Sequence, residues 1–304
     1  MLAAGTRIVG KWTASNLTVE RALGKGANGE VYLVRGPQGL AAMKVCDQPQ
    51  DIALEWGVLG GIRPTPSFFP KPILMDDSDA PKLYFYLMEW VVGQPLSELV
   101  ADLKESSLYE LMSQVLQGLE ELHQAGYAFC DVKAQNIIVA MKPGLKVRFV
   151  DAGGVTRFGR SVRQFTPFSD RAYWGMGTRR AEPSYDLVAF ALMLICAYVI
   201  PPPQLTQWPV QERKRWLAKA LRGFPEAAYI PFLQAILSNS FTDAASCLIA
   251  LRRTRQAVRP AGRKAKRQKR AQGRDWTEWV MWFSLGTTAV VTSIALGSLL
   301  HVFG

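Results

Sequence analysis

Asp131, Lys133 and Asn136 lie within six residues of one another, in the stretch YAFCDVKAQNIIV that spans 127–139. A carboxylate can orient a hydroxyl, a lysine two residues on can neutralise a phosphate, and an amide oxygen can hold a metal ion. Phosphoryl transfer asks for these parts, because positioning and charge stabilisation supply most of its catalysis. The same D-x-K-x-x-x-N spacing also describes a polar loop ahead of the β-branched run 137–139. The chemistry therefore rests on whether partner residues occur elsewhere.

Partners occur in order on both sides. Upstream, LGKGANGEVYLV carries Gly24, Gly26 and Gly29, with Lys25 between the first two and Val31 two residues past the last. A lone G-x-G-x-x-G more often marks a dinucleotide turn. Here a strand pattern follows the last glycine in place of a helix, which favours a β-hairpin folded over phosphates. Lys44 sits in the apolar, strand-like run LAAMKVC, where an unpaired ammonium would be costly, so a carboxylate must meet it. Glu55, in the helix-patterned DIALEWGVLGGI, is the candidate. Downstream, KVRFVDAGG ends a strand on Asp151, fifteen residues after Asn136.

Taken together these motifs resemble the eukaryotic-type (Hanks-type) serine/threonine protein kinases of bacteria, over roughly 16–255. The resemblance implies an α+β, bilobal fold, with a small antiparallel β-sheet lobe (about 16–91) and a larger helical lobe (about 92–255). It implies ATP and Mg²⁺ as cofactors and proteins as substrates. Gly24, Lys25, Gly26, Gly29 and Val31 would cover the nucleotide. Lys44 would hold its α and β phosphates while paired with Glu55. Asp131 would orient the substrate hydroxyl, Lys133 would sit near the transferring phosphoryl group, and Asn136 and Asp151 would hold magnesium. In the apolar run KLYFYLMEWVVGQPL, Met88 would be the gatekeeper, with the backbone of Glu89 and Val91 at the adenine. In Phe165-Thr166-Pro167, Thr166 would be the substrate-docking threonine that touches the catalytic loop.

The elements that must position these groups are legible from periodicity. SLYELMSQVLQGLEELHQAG repeats apolar residues at helical spacing from Leu108 to Leu122 and ends on a glycine, with His123 in its last turn as a capping or packing residue. SYDLVAFALMLICAYVI is apolar enough to mimic a membrane span, but its Asp186 at the start and the Pro201-Pro202-Pro203 stop mark a core helix. In the family Asp186 would hold the catalytic-loop backbone.

Departures from the family pattern are equally specific. H-R-D is here Phe129-Cys130-Asp131, so the arginine that binds an activation-loop phosphate is missing, and activation by that phosphate is not expected. D-F-G is Asp151-Ala152-Gly153, and Phe129 is expected to fill the volume that Ala152 leaves. Cys130 reads as a small buried filler. Ala181-Glu182-Pro183 resembles a scrambled A-P-E but lies close to Asp186, so that glutamate reads as lost or replaced and the anchoring of the arginine-rich segment 154–185 is left open.

Composition bounds the rest. At 304 residues and 49% apolar, the chain can bury a large core. Four scattered cysteines without a C-x-x-C pair fit a reducing compartment and argue against a disulfide framework or a zinc site. The residues 252–274 hold eleven lysines and arginines and no acid, equal to the whole formal excess of +11. This reads as a basic tether (256–275) after a short N-terminal extension (1–15) and the kinase domain. The run 280–303 carries no acid, lysine or arginine, and Trp276, Trp279 and Trp282 cluster at its near end. At about 1.5 Å per residue such a run crosses a hydrocarbon core of about 30 Å, so 276–304 is read as one transmembrane helix. The N-terminus lacks a signal-peptide run, and the positive-inside rule puts the kinase on the cytoplasmic side of a cell membrane, with almost nothing beyond the span to sense an external ligand. Arg263, Lys264, Lys266, Arg267, Lys269 and Arg270 are the candidate contacts to anionic lipid or, non-specifically, to DNA. Kinase, basic tether and terminal span together resemble the layout of membrane-anchored sporulation kinases, which implies a DNA-stimulated activity. Ala289, Ser293 and Gly297 recur every four residues and would let two spans pack as a homodimer.

Two functions follow: an active kinase that phosphorylates itself and cytoplasmic proteins, or a pseudokinase scaffold that keeps ATP without transfer. The altered motifs favour the scaffold. Intact Lys44, Glu55, Asp131, Lys133, Asn136 and Asp151 favour the enzyme, and the enzyme is the reading adopted.

Overall fold

The computed structural model describes residues 1–257 except 27–28, 47, 63–66, 101–102 and 164–165. The basic tether from 258 onward, the apolar run 280–303 and the residues Arg263, Lys264, Lys266, Arg267, Lys269 and Arg270 lie outside the described residues. Residues Met1–Arg252 form one compact unit, and a second begins at Arg253.

Six strands build the small lobe: β1 (Arg7–Val9), β2 (Asn16–Gly26), β3 (Gly29–Gly36), β4 (Gly39–Cys46), β5 (Pro72–Asp79) and β6 (Lys82–Glu89), in the antiparallel order β1-β2-β3-β4-β6-β5. The first fifteen residues, read from the sequence as an extension, thus contribute a strand of their own. Period-two alternation splits the sheet cleanly. Ala41 and Met43 on β4, with Leu83, Phe85 and Leu87 on β6, join Ile8, Tyr32 and Val34 in the outer core. Ala42 and Cys46, with Tyr86 and Met88, face the other way into the main core. Lys44 therefore points to the inner face because its neighbours at every second position do. There it meets α1 (Pro49–Gly61), whose buried residues Ile52, Glu55 and Leu59 recur at helical spacing on one side.

The sheet also curls toward itself. Lys11 donates its backbone N–H to the Asp77 carbonyl at 2.8 Å. The Asp76 carboxylate accepts from the backbone of Trp12 (3.0 Å) and Thr13 (2.9 Å) and from the Thr13 hydroxyl. Burial alone would raise the Asp76 carboxyl, but these hydrogen bonds outweigh it and hold the group below its usual range.

The large lobe is helical. After β7 (Gln94–Pro95) and α2 (Leu96–Leu99) comes α3 (Glu105–Gln124), whose Leu108, Leu111, Met112, Val115, Leu119 and Leu122 are all buried, as the sequence pattern predicts. A turn at Gly126, with φ +84, ends it. Short strands carry the site: β8 (Tyr127–Ala128), β9 (Ile137–Ala140), β10 (Lys146–Phe149) and β11 (Thr156–Arg157). β10, β9 and β7 form one small sheet, and β11 and β8 another. Then α4 (Pro183–Tyr198) runs through the core, buried without a break from Tyr185 to Ile195. Its sixteen residues are a core helix, and among the described residues no helix is long and apolar enough to cross a membrane. Next come α5 (Val210–Arg222) and α6 (Ile230–Leu237), and a further helical stretch begins at 244.

Candidate active site

The inner face of β4, α1 and the end of β10 bring three charges together. Lys44 is 3% exposed, and its Nζ lies 2.7 Å from Glu55 Oε1 and 2.8 Å from Asp151 Oδ1. Burial by itself would push the Lys44 ammonium down, but the carboxylates of Asp151 and Glu55 reverse that and raise it, so the lysine stays charged. Burial pushes the Glu55 carboxyl up against the opposing pull of Lys44. Asp151 goes the other way: burial acts to raise it, but Lys44 and the Gly153 backbone N–H outweigh that and hold it below the usual carboxylate range. Tyr86 completes the arrangement, donating its hydroxyl to Glu55 Oε2 at 2.9 Å. The sequence does not show this contact, because it depends on the β4–β6 register that sets Tyr86 opposite Lys44.

Across the cleft, the three residues of the D-x-K-x-x-x-N motif bond to one another. Lys133 donates to Asp131 Oδ2 at 2.7 Å, and Asn136 Nδ2 donates to the same oxygen at 2.8 Å and to the Asp131 carbonyl at 3.1 Å. Thr166 donates its hydroxyl to Asp131 Oδ1 at 3.3 Å, where the sequence reading placed it. Asn136 spends its amide nitrogen on Asp131, which leaves the amide oxygen for a ligand. The Val150 N–H bonds to the Asn136 carbonyl at 2.9 Å and so sets Asp151 beside this loop. One carboxylate and one amide oxygen form a donor set that suits Mg²⁺, which takes few protein ligands and fills its remaining positions with water and phosphate oxygens.

Backbone strain is concentrated here. Cys130 (φ +60) and Asp151 (φ +64) both hold left-handed backbones. The cost is met by Asp186, fully buried, whose carboxylate accepts the backbone N–H groups of Phe129 (2.7 Å) and Cys130 (2.8 Å). His123 Nε2 lies 2.9 Å from the same carboxylate, so His123 packs where the sequence places it and also braces Asp186. Gly154 allows the closest approach: a Cβ there would stand 2.9 Å from both Asp131 Cβ and the Phe129 carbonyl. Cys130 is a buried filler whose thiol burial pushes well up.

The residues read from the sequence as covering a nucleotide lie together on the β2–β3 hairpin. Gly26 and Gly29 pair across the β2–β3 hairpin, Lys25 bridges to Glu30 at 3.0 Å, and Val31 is half-buried at its base. Gly24 and Gly26 border open space, whereas Gly29 (φ +130) leaves no room for a side chain, since a Cβ would run into the Val45 carbonyl. Met88 is buried at the end of β6. Glu89 donates its backbone N–H to the Lys71 carbonyl and its carboxylate accepts from the Arg148 guanidinium at 3.0 and 2.8 Å, which fixes the chain just before Val91.

Two expectations change. Phe129 does not fill the volume beside Ala152. Its ring packs against Phe69 (5.7 Å between centroids) and Phe149 (5.1 Å), and a cavity of about 110 Å³ remains, lined by Leu54, Glu55, Val58, Ala152 and Arg163. Glu182 does anchor its segment, through an ion pair at 2.6 Å with the buried Arg171, whose guanidinium also donates to Ser184 (2.7 Å) and to the Thr178 carbonyl (2.8 Å). The partner comes from within the segment itself, which sequence spacing alone does not single out.

A two-lobed fold closed around a lysine–glutamate–aspartate triad and a D-x-K-x-x-x-N loop defines the protein kinases, and the protein kinase domain model matches residues 17–204, more than half of the chain. The chain belongs to that family. It is 42% identical over 200 residues to the serine/threonine-protein kinase YabT of Bacillus subtilis, covering 64% of this chain and 59% of that one. A probable serine/threonine-protein kinase of Dictyostelium discoideum is 30% identical over 184 residues, with 54% of this chain and 35% of that one covered. The chain thus spans less than two thirds of the length of either relative. The solved structure of vaccinia related kinase 3 shares the fold at a TM-score of 0.61 and 16% identity, over 85% of this chain and 92% of that one.

Proposed function

We propose that this chain is a serine/threonine protein kinase that transfers the γ-phosphoryl group of ATP to hydroxyls of itself and of other proteins. The observation that carries the reading is the pairing of Lys44 with both Glu55 and Asp151 while Asp131 is held by Lys133, Asn136 and Thr166. Five separate stretches of chain supply these groups, and each is charged or polar where packing alone would favour an apolar residue. The likeness to YabT supports a serine/threonine preference.

In this reading Lys44 holds the α and β phosphates, and the glycine hairpin closes over them. Asp131 orients the acceptor hydroxyl and takes its proton as the new O–P bond forms and the bond to the departing ADP breaks. Lys133 neutralises charge on the phosphoryl group in passage, and Thr166 ties the docking turn to Asp131. Asn136 and Asp151 would hold Mg²⁺, which supplies charge neutralisation at the phosphates when bound.

The finer reading rests on the sequence beyond 257. The run 280–303 anchors the protein as a single span in the cell membrane with the kinase domain cytoplasmic, and the basic tether responds to DNA or anionic lipid. Spans that meet through Ala289, Ser293 and Gly297 would make a homodimer.

The test is intact mass of the full chain, freed of phosphate and incubated with Mg-ATP, beside Asp131→Asn. Wild type gaining phosphate while the variant does not establishes the kinase. Parallel arms with duplex DNA and with anionic vesicles, at low and high salt, show which polyanion stimulates it. Ala152 and the cavity beside it favour a second reading, an ATP-holding scaffold. A rise in melting temperature with ATP and no phosphate gain in any arm would establish that reading.

A further inference from the structure

A groove of about 640 Å³ opens on the large lobe between α5, α6 and the loop at Gly175 and Met176. Leu217, Leu221, Ile230 and Leu237 supply an apolar floor, and Lys214 and Arg222 stand among its lining residues. None of the lining residues is acidic, and neither cation forms an ion pair with a described residue. Lysines and arginines on a helix face are ordinary solvated surface. This site differs because the cations border a concave apolar floor, where a partner would bury the apolar part and pair with the charges together.

Two of the five cations of α5, Lys214 and Arg222, line the groove. α5 carries Arg213, Lys214, Arg215, Lys219 and Arg222 against a single Glu212. Of these, Arg213 is already committed, stacked 3.7 Å over the Tyr173 ring. Gly175, at φ +64, brings the loop close to the start of α5: a Cβ there would stand 2.7 Å from Val210 Cγ1, with Lys214 Cε and Nζ next at 3.4 and 3.5 Å. The glycine backbone lets the loop close onto α5, and the Lys214 stem lies beside it at ordinary contact distance, among the groove's lining residues.

We propose that this groove docks an acidic, amphipathic protein segment, with leucine- or phenylalanine-type anchors seated on the floor and flanking carboxylates paired to Lys214 and Arg222. Basic segments are repelled by the same two cations. The chain that carries Thr166 continues, nine residues on, into the groove wall at Gly175. Resting on the kinase reading, this makes the docked protein a substrate class: proteins that pair a phosphorylatable hydroxyl with a distant acidic, apolar anchor.

The experiment titrates the full chain into a fluorescein-labelled peptide with leucines at helical spacing and glutamates between them, followed by anisotropy. A charge-matched peptide with serine for leucine, and the double variant Lys214→Glu, Arg222→Glu, are run beside it. Either change is expected to raise Kd by about tenfold or more, as loss of a buried leucine or of paired charges would. Ala218→Trp, at an exposed position on α5, obstructs the groove without touching charge and is expected to do the same. If the serine peptide binds as well as the leucine peptide, or both groove variants bind like wild type, the acidic peptide is held elsewhere, at 252–274 for example, and the docking site is overturned. Phosphorylation of a short serine peptide without an anchor is measured on the same samples. Groove-dependent binding with no phosphorylation keeps the docking site and removes the kinase reading. Phosphorylation without groove-dependent binding does the reverse.

Discussion

Asp131 and Asp186 serve one loop from opposite sides. Asp186 is wholly buried and satisfied by two backbone N–H groups and an imidazole. Among the described residues, the carboxylate of Asp131, 8% exposed, is held by side chains alone: Lys133, Asn136 and Thr166. A carboxylate locked by backbone donors cannot give up its partners without unfolding the loop, so it holds geometry. One bound by side chains can exchange them for a ligand's hydroxyl, so it can do chemistry. The same residue type is divided between support and reaction by its donors.

The contrast predicts separable losses. Asp131→Asn should lower phosphate transfer by about a thousandfold or more with an unchanged melting temperature. A large drop in melting temperature would mean that Asp131 is structural as well. Asp186→Asn should reduce both, costing about 2–4 kcal/mol in denaturant unfolding because buried N–H groups lose their charged acceptor. If stability stayed at the wild-type value while activity fell, the division of labour would be wrong. Smaller still, Glu182→Gln removes the charge that pairs with Arg171, and about 1 kcal/mol is expected from a pair with one solvated partner. Its signature should be a raised KM for protein substrate with kcat less affected, because the segment it anchors leads from Thr166. The least effect belongs to Asp76. Its depressed carboxyl stabilises the fold above the unfolded-state value and stops doing so as pH falls through the folded one. The gap in melting temperature between wild type and Asp76→Asn should therefore narrow below about pH 4. A gap that widens on acidification would reverse the sign.

The same division explains what could be read in advance. Lys44 and Glu55 were legible because a buried ammonium in an apolar strand demands a carboxylate, and α1 offers one on its apolar face. The mutual bonding of Asp131, Lys133 and Asn136 was legible because the three lie within six residues. Tyr86 on Glu55 was not, since strand register is a property of the assembled sheet. Arg171 on Glu182 was hidden by an expectation that the glutamate had been lost. The neighbours of Phe129 were not legible: its ring packs against Phe69 and Phe149 and does not line the cavity at Ala152. The strand at Arg7–Val9 is not legible in the sequence, because three residues carry too little alternation.

That strand and the turn after it have one more effect. A row of unpaired backbone groups along the rim of a sheet invites a strand from another molecule. Here Lys11 takes the Asp77 carbonyl, and the turn is fastened by the Asp76 side chain. Part of the outermost β5 rim is thereby closed to incoming chains, and the small lobe is protected against edge-to-edge self-association where its sheet would otherwise end.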